Sequence, residues 1–143
     1  MYILGCYCTD ITVTVENNAA IYQSYYAGSY EVSEKTNGKT TWVSYSKAIW
    51  HNDNYWVIGD LKDIGKNVGA IFSSGKNERF SCPYEATNNI EYNDYDQDAL
   101  VPDMNKDITI QCTSPLQGDK NREFCKYSSP SSYTINVFPK NIA

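Results

Sequence analysis

The chain is poor in the residues that most often carry chemistry. It holds one histidine, two methionines and four phenylalanines in 143 residues. A hydrolytic triad needs a base held between a nucleophile and an orienting acid. The lone His51 sits beside Asn52 and Asp53, in what reads as a hairpin loop over residues 51–54, and no Gly-x-Ser-x-Gly or comparable nucleophile motif accompanies it. An enzyme is not expected. Basic residues are scarce as well: 12 Lys and Arg against 17 Asp and Glu give a net charge of -5. That balance argues against nucleic acid, whose binding needs clustered cations to displace counterions. No apolar run approaches the length of a membrane span. There is no Asn-x-Ser/Thr sequon, so N-glycans are not expected. Residues 1–6 are too short for a signal peptide and lack a basic segment, so the sequence reads as a mature or excised form.

Tyrosine and tryptophan are what the chain has in quantity, at thirteen and three copies. Both bury area while keeping a polar handle, which suits thin β-layers and binding surfaces. The stretch 29–74 organises the rest. Asn37-Gly38 lies between two alternating runs, the strongest local hairpin signal, because a type I′ turn needs positive φ at both central residues. Trp42, Trp50 and Trp56 fall in three successive β-type runs and read as core aromatics. Residues 10–15 alternate, with Ile11, Val13 and Val15 on one face. Residues 21–26 and 70–73 read as further strands, and 61–67 as an ordered loop bracketed by glycines. Residues 107–112 echo 10–15, so these two strands are expected as the neighbouring first and last strands of one module over 1–112. The fold class expected is all-β: an antiparallel sandwich or open barrel of seven to nine short strands, stapled by disulfides.

The cysteines are Cys6, Cys8, Cys82, Cys112 and Cys125. Zinc sites want closely paired ligands, and only Cys6-x-Cys8 is paired. Wide spacing in an acidic β-protein points instead to disulfides and an oxidising compartment. Two intrachain bridges are expected, with Cys112 joined to Cys6 or Cys8. The odd count leaves one thiol free or bonded to another chain.

Residues 85–107 carry seven carboxylates and one lysine. Within them Asp94, Asp96 and Asp98 alternate and are the candidate calcium ligands. As an EF-hand loop the segment fails, with Ala99 and Asn105 where glycine and glutamate belong. Calcium is the one cofactor the sequence admits. Residues 113–143 form a Ser/Pro-containing extension. It ends in an alternating run with Tyr133, Ile135 and Val137 on one face and Phe138 on the other, an assembly strand able to pair with a sheet edge in cis or in a neighbouring subunit.

A set of short strings bears a likeness to a known module: Gly28-Ser-Tyr30, Asn37-Gly38, Ala48-Ile-Trp50, Trp56-Val-Ile-Gly59, Gly69-Ala-Ile71, Cys82-Pro83, Glu91-Tyr92 and Ile108-Thr-Ile-Gln-Cys112. Over about residues 8–112 the chain resembles a cysteine-containing β-rich module of secreted, often multidomain, invertebrate extracellular proteins. Ile90 stands where that pattern places a tryptophan near Glu91. The resemblance implies a secreted, extracellular setting and no particular activity.

Two functions are expected to compete. The first is a non-enzymatic structural or adhesive protein that self-associates, with filaments formed through the C-terminal strand, because the cysteine count is odd and the tail ends in a strand. The second is a ligand-binding module for carbohydrate or another extracellular protein, because tyrosine and tryptophan suit sugar stacking.

Overall fold

The computed structural model describes residues 8–52, 55–73, 82–86 and 89–115. Nine strands follow one another: β1 (Cys8–Val15), β2 (Gly28–Thr36), β3 (Lys39–Ser44), β4 (Lys47–Asn52), β5 (Tyr55–Asp60), β6 (Ile71–Ser73), β7 (Ile90–Asp94), β8 (Ala99–Pro102) and β9 (Ile108–Pro115). They form one antiparallel sheet in the order β8-β7-β6-β5-β4-β3-β2-β1-β9. The chain therefore meanders from β1 to β8 and then crosses to the far side of β1. In a flat sheet, eight interstrand steps of about 4.8 Å would hold the edge strands roughly 38 Å apart. The segment 103–107 joins them, and a link of that length reaches at most about 20 Å. The sheet must curl, and it does so as a half-barrel, the open-barrel form of the expected class.

Asp103 fastens the curl. Its backbone N–H donates to the Ile90 carbonyl at the start of β7 (2.9 Å), while its carboxylate accepts from the N–H groups of Asp107 and Ile108 at the start of β9.

The first hairpin forms as its sequence requires. Thr36 pairs with Lys39, and Asn37 and Gly38 take φ of 54° and 81°. The echoing strands are neighbours: β1 and β9 pair from Val15↔Ile108 to Ile11↔Cys112. A bulge at Asp10 shifts that register, so Cys8 and Ile11 are both buried although three positions apart. Cys8 is bonded to Cys112, with Cα atoms 5.8 Å apart, closing a loop of sequence separation 104. Cys82 is disulfide-bonded as well. Cys6 and Cys125 lie outside the described residues.

A belt of facing side chains crosses the concave side: Trp42↔Ile49, Ile49↔Ile58, Ile58↔Ile71 and Ile71↔Tyr92. Trp42 is wholly buried and donates its indole N–H to the Cys8 carbonyl at 2.8 Å. The tryptophans do not share one core. Trp42 and Trp56 lie in the main cluster, whereas Trp50 packs with Ala48 and Val57 on the other face. That follows from the strand period of two, which puts Trp50 and Ile49 on opposite faces. The segment after β5 folds over the second cluster, and Trp50 donates to the Lys66 carbonyl at 2.9 Å. Here the backbones touch: a Cβ on Gly59 would sit 2.9 Å from Gly69 Cα, and one on Gly69 would collide with Val57.

Two local expectations are corrected. Residues 21–26 are not a strand. They continue helix α1 (Asn17–Gln23) into a 3-10 turn (Ser24–Tyr26). Ala19 and Gln23, one helical turn apart, are buried, and Gln23 donates to the Asn93 carbonyl at 2.8 Å. Burying that face outweighs the weak strand preference of the tyrosines. The His51 hairpin loop is also shorter than expected. His51 pairs with Trp56 and Asn52 with Tyr55, so both lie in β4.

Candidate functional site

Because the strands alternate in direction, one end of the sheet collects α1 and its 3-10 turn, the β3–β4 turn, the segment after β5, the β7–β8 turn and the start of β9. Loops gathered at one end of a rigid sheet are where binding surfaces usually lie. A surface groove of about 540 Å³ opens there, lined by Tyr25, Tyr45, Ser46, Asp60, Leu61 and Lys62. That volume falls within the range of roughly 300–1,000 Å³ typical of small-ligand sites.

Tyr45 is the most telling residue in it. Ser44 pairs with Lys47, so Tyr45 and Ser46 form a two-residue turn, and Tyr45 has φ of 56°. Asparagine or glycine suits that conformation, whereas a bulky side chain strains it by about 1 kcal/mol or more. The ring gains no burial in return, being 95% exposed. The turn thus holds a large ring in solvent at a cost in backbone conformation.

The neighbours are held in place. The Ser46 carbonyl accepts from the Leu61 N–H at 2.7 Å, clamping the turn to the segment after β5. Tyr25 is 56% exposed, and its hydroxyl meets Ser46 Oγ at 2.6 Å. Lys47 Nζ donates to the Tyr25 carbonyl at 2.9 Å and lies 4.9 Å from the ring centroid, a cation–π contact that steadies the ring. Tyr26 stacks edge-on with Tyr25 at 5.0 Å and donates its hydroxyl to Asp60 Oδ1 at 2.7 Å. Burial, then that bond to the Asp60 carboxylate, holds the Tyr26 phenol well above its ordinary pKa, so it remains a donor. Asp60 Oδ2 lies 3.9 Å from Lys62 Nζ, outside hydrogen-bond range, and so retains capacity to accept from a ligand. Rings with apolar faces, a carboxylate acceptor and a hydroxyl together match a polyhydroxylated ligand.

The residues singled out from sequence lie elsewhere. His51 packs edge-on against Trp56 at 4.9 Å, a structural contact. Asp94 ends β7, and Asp96 and Asp98 lie in the β7–β8 turn. Asp94 accepts from the N–H groups of Asp96 and Gln97 and from the Gln97 side chain, which closes the β7–β8 turn. Asp96 accepts instead from the Tyr22 hydroxyl at 2.6 Å. That bond is the first cause pushing the Tyr22 phenol up to about 12. Among the described residues no three acidic, histidine or cysteine side chains cluster as metal ligands. Tyr133, Ile135, Val137 and Phe138 lie outside the described residues. No helix among those described is long and apolar enough to cross a membrane.

The groove residues escaped the sequence reading because they come from three separated segments. One signal was legible: Tyr45-Ser46 separates two β-type runs where turn-forming residues are the rule. No family model, curated protein or solved structure matches the chain.

Proposed function

We propose that this protein is an extracellular carbohydrate-binding module and that the groove between Tyr25 and Tyr45 is its sugar site. The observation that carries the reading is Tyr45: an exposed aromatic ring held on a strained hairpin turn, beside a second exposed ring and the Asp60 carboxylate. Aromatic faces stack on the apolar faces of sugars, and carboxylates accept from vicinal hydroxyls. The bonded cysteines Cys8, Cys82 and Cys112 support the extracellular assignment. The test is a glycan array probed with the native protein and with Tyr25→Ala and Tyr45→Ala. Binding to a defined set of glycans that both substitutions abolish supports the reading. No binding by the native protein, or equal binding by the variants, defeats it.

Self-association through the C-terminal strand is the second reading. What favours it is that β8 and β9 terminate the sheet, each paired on one side only among the described residues. Both edges end in proline, Pro102 and Pro115, which blunts strand addition. Native mass measurement before and after deletion of residues 128–143 separates the cases. A protein monomeric in both forms removes this reading.

A further inference from the structure

Resting on the carbohydrate reading, we infer that the ligand is an uncharged, linear oligosaccharide that runs from the Tyr45 groove across Tyr25 to a second subsite built by Tyr22, Tyr95 and Asp96.

Tyr22 lies in α1, and Tyr25 and Tyr26 lie in the 3-10 turn that follows; Tyr26 packs edge-on with Tyr25 and is close enough to Tyr95 to feel its phenol. Beyond Tyr22 comes Tyr95, which is 61% exposed and meets the Tyr22 ring edge-on at 6.0 Å. The tyrosines thus lead from Tyr45 in the β3–β4 turn, through Tyr25 and Tyr26, to Tyr95 and Tyr22 beside the β7–β8 turn. The far end repeats the chemistry of the near end. In the groove, Tyr26 orients Asp60 by donating its hydroxyl; at the far end, Tyr22 orients Asp96 in the same way. Each pair sets a carboxylate beside an exposed ring, Tyr25 and Tyr45 for Asp60 and Tyr95 for Asp96. The turn bearing Tyr95 and Asp96 is itself fixed by the Asp94 side chain. Two such pairs of carboxylate and ring at one end of the sheet suit a chain of sugars rather than a single unit.

Charge selects which chain. Glu16, Asp60, Asp63, Asp94, Asp96, Asp98 and Asp107 lie at this end of the sheet, with Lys47, Lys62, Lys66 and Lys106 as the cations of the same segments. The Lys47 ammonium is held by the Tyr25 carbonyl and ring, and Lys62 and Lys66 are paired with Asp63 at 3.1 and 3.9 Å. A sulfated or carboxylated glycan would meet net negative charge here, whereas the hydroxyls of a neutral one find acceptors.

Calorimetric titration with oligomers one to six units long of β-linked glucose, N-acetylglucosamine, galactose and mannose tests this, alongside sulfated counterparts. In at least one neutral series the affinity is expected to rise tenfold or more between two and five units. The loss caused by Tyr95→Ala should grow with oligomer length, whereas the loss caused by Tyr45→Ala should be similar at every length. Sulfated oligomers should bind more weakly. A melting curve confirms that each variant is folded, and Asp96→Asn provides a second, smaller change at the far subsite. Affinity that stops rising at two units, a length gain that survives both far-end substitutions, or a preference for sulfated oligomers overturns the inference while the groove remains a sugar site. Failure of the native protein to bind any oligomer overturns the carbohydrate reading itself.

Discussion

Replacing Tyr45 with asparagine should make this protein more stable and worse at binding. The backbone at Tyr45 is left-handed, with φ of 56°, and the side chain is 95% exposed. A left-handed conformation costs an ordinary L-residue about 1–2 kcal/mol, and asparagine recovers part of that because its short amide bonds the local backbone. Removing the ring forfeits almost no buried area. The net gain expected is about 0.5–1 kcal/mol, which raises the melting temperature of a module of this size by roughly 2–4 °C. The same change deletes one wall of the groove, so affinity for a bound glycan should fall at least tenfold, or about 1.4 kcal/mol. Thermal unfolding followed by circular dichroism, and calorimetric titration with the best glycan from the array, measure the two effects on one sample. A lower melting temperature would show that the ring supports the fold. Unchanged affinity would show that it does not touch the ligand. Either result refutes the reasoning, because it treats the strain as the cost of presenting the ring.

Other outcomes follow from the same structure. The Cys8–Cys112 bond closes a loop of sequence separation 104, so the double variant Cys8→Ala/Cys112→Ala should lose about 4–5 kcal/mol on the chain-entropy account and melt some 15 °C lower. A loss below about 1 kcal/mol in denaturant titration would contradict that. Gly69→Ala should destabilise by about 2 kcal/mol, since its methyl would collide with the Val57 side chain and crowd the Ile58 carbonyl oxygen at 3.1 Å; urea unfolding at or above the native midpoint would count against the close approach. Stability should decline as pH rises above 10. The phenols of Tyr22, Tyr26 and Tyr30 are all raised, Tyr22 to about 12, so between pH 10 and their folded-state values the unfolded chain loses protons that the folded chain keeps. Below pH 10 that contribution is fully present. Melting temperature against pH should fall less steeply in Tyr30→Phe, and identical slopes would remove the assignment.

Tyr22, Tyr25, Tyr26, Tyr45 and Tyr95 stand at one end of the sheet. Tyrosine can take that position because it tolerates both environments. Tyr30 is fully buried with its hydroxyl bonded to the Tyr26 carbonyl at 2.7 Å, while Tyr45 stands in solvent.

Local chemistry was enough to read much of the scaffold. Asn37-Gly38 specifies its turn because few residues accept positive φ twice in succession. The alternation of residues 10–15 and 107–112 identifies two half-buried strands, and their likeness pointed to the β1–β9 pairing that brings Cys8 to Cys112. Segment 21–26, a short run of tyrosines, has no decisive period of its own. Only the burial of Ala19 and Gln23 against the sheet makes it helical. Spacing alone does not give the partners of Asp94 and Asp96, which are neighbouring N–H groups and the Tyr22 hydroxyl. The grouping of tyrosines was beyond any local reading. Tyr22 and Tyr25, Tyr45, Asp60 and Tyr95 come from four separate segments, and it is the alternation of strand direction, with the curl of the sheet, that carries all four to one end.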